Sequence, residues 1–379
     1  MSQTRATPAT LLLLALAGSL PTCPSPGQEP APVFQAGPQQ KLRIRADALL
    51  RREWTKDLFG GAADLSRTRL QVRPRLELAV GGFTAGVGGE FNGGSDENTV
   101  PPAGVARLAL LRDNFDSRDA RLDLAFGRLE LGRMLVLEGG RFPMPIPFTE
   151  MIWDRDLRPQ GGALTLESRD PAGEQRLGLT LLAARGSHTF DDDGTEMYMA
   201  SLGAGFAAGS RSRLELRGSF VRWDDVEGME PMIRRQNTRL SAGGPVAPAF
   251  RVVDLVARLR NEGAIPTQLV VDYAWNLDRD QGNRGLWLSA VMGSLAQSRG
   301  RLEYTYAKVD RDATLAAYGA DDFFWVTGWE GHRADFGARA GTHSSMHVVG
   351  QLQRFKDSAV AAEREHWVKR LRLEVRWAR

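Results

Sequence analysis

Charged side chains recur in this chain at every second position. Arg43 and Arg45, Arg69, Arg73 and Arg75, and Arg370, Arg372 and Arg376 alternate with aliphatic residues, and Arg121, Arg213 and Arg217 keep the same rhythm. Asp47, Glu77, Asp123, Glu215 and Glu374 fall in phase with them. Successive side chains of an extended strand point to opposite faces, so these charges share one face and the aliphatic residues take the other. Guanidinium groups bordering a narrow water-filled space would attract anions and hold back cations. Opposite charges on neighbouring strands also pair and cancel much of that field. Pairing is expected for most of them, with a weak anion preference left to the unpaired surplus.

A second cluster interrupts the alternation. Between a segment carrying Leu135 and Leu137 and one carrying Leu164 and Leu166 runs Gly140-Arg141-Phe142-Pro143-Met144-Pro145-Ile146-Pro147-Phe148, continuing through Trp153-Asp154-Arg155-Asp156 to Gly161-Gly162. The three prolines Pro143, Pro145 and Pro147 with several aromatics are too apolar for an ordinary surface loop. If the flanking segments are neighbouring strands of a closed barrel, the loop Pro143 to Gln160 would fold inward and narrow the lumen. Arg141, Glu150, Asp154, Arg155, Asp156 and Arg158 are then the candidate constriction residues, set against wall arginines such as Arg73 and Arg75.

Signs of covalent or metal chemistry are scarce. Gly203 to Ala208 spells GxGxxA, but Gly209-Ser210 stands where a helix would have to begin, and the segment alternates like a strand. His343 and His347 sit in or beside a tight turn and read as solvated turn histidines. Two acidic stretches, Asp191 to Gly194 and Asp278 to Gly282, read as polar turns; counted from Asp278, Ser289 stands where a calcium loop needs glutamate. Ser187-His188 is an adjacent serine–histidine pair, and on a strand the two would face opposite ways. No enzyme, cofactor or metal is expected.

The elements that must position the arginines are strands. No stretch after residue 20 approaches the roughly 18 apolar residues of a membrane helix, and mean hydropathy is −0.31. Alternating barrel strands average to such a value. With glycine, proline and charge clusters as breaks, the chain divides into about sixteen strands of roughly ten residues. Tight turns at Gly81-Gly82, Gly209-Ser210, Glu262-Gly263 and Ser298-Arg299-Gly300 alternate with long polar segments at 56–64, 92–103, 143–160, 188–196, 224–249 and 314–330. Short turns on one side and long loops on the other make an all-β transmembrane antiparallel barrel with both termini at the turn end. The stretch 105–116 fits helix as well as strand. Trp54, Phe126, Trp223, Trp275, Trp287, Tyr304, Tyr306, Trp367 and Trp377, near strand ends, suit interfacial girdles.

The first 22 residues read as a signal peptide, with Arg5, an apolar core at Leu11 to Leu16, and Ala15-Leu16-Ala17 as cleavage site. Cys23 is the single cysteine, and Leu20-Pro21-Thr22 is a poor run-up for its acylation. Residues 23–40 read as a flexible leader and 41–379 as the barrel. A net charge of +3 gives no nucleic-acid surface.

The run Tyr304-Thr-Tyr306-Ala-Lys-Val-Asp310-Arg-Asp312-Ala-Thr-Leu315, leading through Asp321-Asp322-Phe323 to Gly328-Trp-Glu-Gly331-His332, resembles the C-terminal part of bacterial outer-membrane porins related to the phosphate-selective porins O and P. Gly140-Arg141-Phe142-x-x-Pro145 is similar to the start of that family's third loop. The resemblance covers about a quarter of the chain. It implies a sixteen-stranded barrel in the bacterial outer membrane, commonly a homotrimer, in contact with membrane lipid and passing small hydrophilic or anionic solutes. The chain departs from the family in ending Trp377-Ala378-Arg379 rather than on an aromatic, and in having arginine where phosphate-selective members are lysine-rich. Phosphate selectivity is therefore not implied. The expected function is passive diffusion through the barrel; a non-conducting barrel serving as adhesin or envelope anchor is the alternative.

Overall fold

The structure is a computed structural model that describes residues 34–35, 40–61, 63–95, 120–169, 175–185, 195–226, 237, 249–320, 327–357 and 361–379. The candidate helix at 105–116, Ser187-His188, the acidic stretch 191–194 and the signal segment lie outside those residues.

Sixteen antiparallel strands close on themselves. They are β1 (Gln40–Asp57), β2 (Ala63–Val80), β3 (Phe83–Gly94), β4 (Ala120–Leu131), β5 (Leu135–Arg141), β6 (Gln160–Arg169), β7 (Gln175–Arg185) and β8 (Glu196–Ala207). The second half comprises β9 (Ser212–Asp224), β10 (Ala249–Asn261), β11 (Thr267–Asn276), β12 (Arg284–Ser294), β13 (Gly300–Val309), β14 (Trp329–Arg339), β15 (Ser344–Phe355) and β16 (Val368–Ala378). Each pairs with its sequence neighbour, and β16 pairs with β1, Arg372 opposite Glu53 and Glu374 opposite Arg51. Reciprocal backbone bonds between Ala46 and Arg379 finish the seam at the turn end. Closure leaves no unpaired edge. The expected leader gives way to strand at Gln40, and Phe34–Gln35 folds back to pair with Lys41 and Leu42. The expected long segment at 56–64 is instead strand, one turn of helix α1 (Leu58–Gly61) and strand again. Gly60 of α1 lies against Ala362 of a second short helix, α2 (Ala361–Glu365), where a β-carbon would come within 2.7 Å of the Ala362 side chain.

The packing is inverted relative to a water-soluble protein. Along β16, Arg370, Arg372 and Glu374 are at most 4% exposed, whereas Leu371, Leu373 and Val375 are at least 40% exposed. The apolar band therefore faces outward, as a lipid-facing wall requires, and the charges face the interior.

One irregularity changes which residues face in. The β3–β4 ladder slips between Gly88 and Gly89, so that Asp123 is bypassed while Leu124 pairs with Gly88. Such a bulge reverses the alternation beyond it. Arg121 and Asp123 point inward above the bulge; Phe126, Arg128 and Glu130 line the interior below it. Pro74, which has no N–H to donate, sits on β2 where the β2–β3 ladder is likewise interrupted. The bulge corrects the girdle expectation for Phe126. Trp223 and Trp287, 0% and 4% exposed, also face inward, against apolar loops that fill the barrel there. Trp275, Tyr304 and Trp377 do face outward.

His347 is corrected too. It is a buried β15 residue whose Nδ1 lies 2.8 Å from the Asp335 carboxylate, and only His343 occupies the turn. Asp278 behaves as a turn residue, paired with Arg251.

Candidate functional site

Leaving β5, the chain turns at Gly140, whose φ of +107° and the 2.3 Å approach of the Ala125 oxygen to any β-carbon there both demand glycine. The connection 142–159 then closes on itself, Phe142 N–H donating to the Pro159 carbonyl at 3.2 Å. Phe142, Ile146 and Ile152 are at most 1% exposed. Within the loop, the Trp153 indole N–H donates to the Leu157 carbonyl, and the Asp154 carboxylate accepts the Asp156 N–H at 3.0 Å.

Its side chains bond to inward-facing residues of four strands. The Thr149 hydroxyl donates to the Asp272 carboxylate on β11. Glu150 pairs with Arg333 on β14 at 2.5 Å, Asp156 with Arg73 on β2 at 2.6 Å, and Arg158 with Asp123 on β4 at 3.0 Å. A second connection, following β13, meets it: Asp154 N–H donates to the Tyr318 carbonyl, and Ala320 N–H to the Glu150 carbonyl. The Tyr318 ring stacks between Trp153 (5.5 Å) and Trp223 (6.1 Å).

The six candidate constriction residues thus fall into different roles. Arg155 is the exposed one, its side chain 80% accessible and 3.7 Å from Glu150. Glu150 and Asp156 are half-buried links to the wall. Asp154 and Arg158 are only 5% exposed, so they hold the loop rather than border open space. Arg141 donates to the Asp123 carbonyl at the base of the loop.

On the wall, pairing across neighbouring strands is the rule. Glu53 accepts from Arg67 and lies 3.9 Å from Arg370. Glu374 pairs with Arg51 at 2.8 Å, Arg372 at 3.5 Å and Arg376 at 2.5 Å. Arg73 bridges Asp47 and Asp156; Arg75 lies within 3.7 Å of both Asp47 and Asp123. Arg121 meets Glu90, and Glu215 is shared by Arg217, Arg258 and Arg260. Arg69 is 6% exposed and Arg213 half-buried on the same inner face. By contrast, Arg43 and Arg45 are exposed and form no ion pair among the described residues.

Several of these participants escape a reading of the sequence. Arg51 keeps the phase of Arg43, Arg45 and Asp47, but Leu49 between them and the adjacent Arg52 obscure it, and the register sets Arg51 opposite Glu374. Asp254 and Asp272, both 0% exposed, lie diagonally across β10 and β11. Each sits in an aliphatic stretch that carries no motif.

No family model and no curated protein matches this sequence. Solved structures do resemble it. The high-pH structure of Pseudomonas putida OprB aligns over 89% of this chain and 94% of that chain, with a TM-score of 0.60 and 11% identity. Salmonella typhi OmpF, in complex with daunomycin, aligns over 90% and 98%, with a TM-score of 0.52 and 13% identity. The low-pH structure of OprB gives 89% and 92%, 0.51 and 8%. At such identities what is shared is the barrel fold.

Proposed function

We propose that this protein is a bacterial outer-membrane channel that passes small hydrophilic solutes by passive diffusion. The observation that carries the reading is the inverted barrel: a closed wall with an apolar outer band and a charged inner face. A polar interior is of use to a membrane barrel as a path for polar solutes. The fold shared with the outer-membrane porins OprB and OmpF supports it. The turn end faces the periplasm, as in bacterial barrels generally. Loop 142–159 is the constriction, with Arg155 exposed toward the path, the half-buried Glu150 beside it, and Arg73 and Arg75 on the wall. Since most wall arginines are paired, the selectivity is a weak preference for anions. Relation to the phosphate-selective porins draws no support from these likenesses.

A homotrimer is the assembly we propose. Ala85, Gly127, Gly139, Gly162 and Ala183 stand in register on the outward face of β3 to β7, giving a flat strip beside the shortest strand, β5, on which a second copy can pack. Crosslinking in native membranes would yield trimers; monomers alone would refute it.

The test of function is single-channel current of the refolded protein in a planar bilayer under a salt gradient. Stepwise conductance with a small anion-selective reversal potential is expected. One observation favours the rival reading of a non-conducting anchor or adhesin: Glu53, Arg67, Arg372 and Glu374 are at most 2% exposed, so paired charges fill part of the interior. A refolded barrel that never conducts would establish that reading.

A further inference from the structure

Below the loop, toward the turn end, the inner walls of β1 to β6 line a half-open cavity of about 490 Å³. That falls within the range of small-molecule sites. Its two sides differ in chemistry. On β1 stand Arg43 and Arg45, exposed and without ion-pair partners among the described residues. Arg45 faces another arginine, Arg75, directly across the β1–β2 ladder. Like charges so placed repel unless a counter-charge lies between them. Asp47 and Asp123 attend to Arg75, but neither pairs with Arg45.

The other side is apolar. Pro143, Met144 and Pro145 of the loop lie over it, and Phe126 of β4 presents its ring. That ring is placed by a glycine: a β-carbon at Gly86 would come within 2.4 Å of it. The carboxylates there are partly spent, Arg128 lying 3.1 Å from Glu130 and 3.4 Å from Glu138, and Arg169 pairing with Glu167. Glu77, opposite Arg43, carries no ion pair among the described residues and offsets one of the two arginines.

We propose that this cavity binds an organic monoanion with a flat apolar body, such as an aromatic carboxylate. Its carboxylate lies between Arg45 and Arg43, and its ring rests against Phe126 and Met144. A planar carboxylate matches the two-pronged donor face of a guanidinium. A multivalent inorganic anion fits poorly, because the lining arginines Arg43, Arg45, Arg128 and Arg169 are matched in number by Glu77, Glu130, Glu138 and Glu167, so that only the local pair on β1 attracts it, and its hydration shell would leave the apolar side unfilled. The inference rests on the channel reading for the route by which the solute arrives.

The test uses benzoate as probe, with inorganic phosphate and benzyl alcohol as controls, titrated from the turn side during single-channel recording and separately by calorimetry on the detergent-refolded protein. Benzoate should interrupt the current saturably and bind at least about tenfold more tightly than either control. Arg45→Gln should weaken it by about tenfold or more, the worth of one charge-assisted hydrogen bond. Gly86→Ala, which pushes the Phe126 ring into the cavity, should weaken benzoate while leaving conductance in place. Phosphate binding as tightly as benzoate would overturn the proposal in favour of general anion attraction. Equal binding of benzyl alcohol, or a wild-type response from both variants, would overturn it as well. Calorimetric binding without conductance would support the site and refute the channel; conductance with no benzoate binding would do the reverse.

Discussion

Replacing Arg155 by glutamate changes the charge at the loop tip by two units without disturbing a buried contact, because its side chain is 80% exposed and its nearest acid, Glu150, keeps Arg333. A monovalent ion passing at about 5 Å in water feels about 0.8 kcal/mol per unit charge. Screening at 0.1 M salt, with a Debye length of about 10 Å, reduces this to about 0.5 kcal/mol. Reversing the charge therefore lowers the barrier for cations by about 1 kcal/mol and raises it for anions by about as much, a ceiling of roughly thirtyfold on the anion-to-cation permeability ratio. The assay is the zero-current potential in a planar bilayer under a tenfold potassium chloride gradient centred near 0.1 M. The potential should move toward cation selectivity, and the shift should shrink severalfold in a gradient centred near 1 M, where the Debye length is about 3 Å. An unchanged potential at low salt would refute the placement of Arg155 beside the ion path. A shift independent of salt would refute the electrostatic mechanism. Arg158→Glu is the informative contrast: it sets two carboxylates, those of residues 123 and 158, together in a buried site and should loosen the loop rather than tune selectivity.

Thr149→Val removes the hydroxyl that donates to Asp272, a buried carboxylate that stands diagonally across from the equally buried Asp254. A loss of about 1–3 kcal/mol in loop anchoring is expected, seen as increased open-channel noise; a quiet channel of wild-type stability would contradict it. Tyr318→Ala breaks the ring stack joining the two inward loops. The stacking alone is worth about 0.5–1.5 kcal/mol per pair, so the single-channel conductance should become heterogeneous, and one sharp wild-type level would argue against the contact. Leu373→Arg places a charge on the outward face, where it costs about 2–4 kcal/mol near mid-membrane; refolding into vesicles should fall, and equal refolding would question the assignment of that face. Gly140→Ala forces a side chain onto a backbone with φ of +107° and against the Ala125 oxygen, and refolding yield should drop; wild-type yield would show that the turn can relax.

The sequence by itself determined the fold class. Side-chain alternation is a property of the strand backbone, readable two residues at a time, and it separates the charged set of each strand from its aliphatic set without knowledge of any partner. Alternating short turns and long loops determined the even count of strands, which sets the start of β1 and the end of β16 at the same end of the barrel. Even the unusual character of 142–159 was legible, because prolines and aromatics in a loop must bury themselves somewhere.

Tertiary structure decided the rest, because it depends on contacts between residues far apart in the chain. Glu53 meets Arg370 only once β16 has closed against β1, more than three hundred residues away. One bypassed residue opposite Gly88 turned Phe126 from the lipid to the lumen. Trp223 faces inward in phase with Arg217, but it is buried rather than solvated because loop residues distant in sequence supply its apolar partners, and Arg158 is buried against Asp123 of the inner wall. Arg43 and Arg45 read in the sequence like every other inner arginine. Only the closed barrel shows that, among the described residues, they form no ion pair.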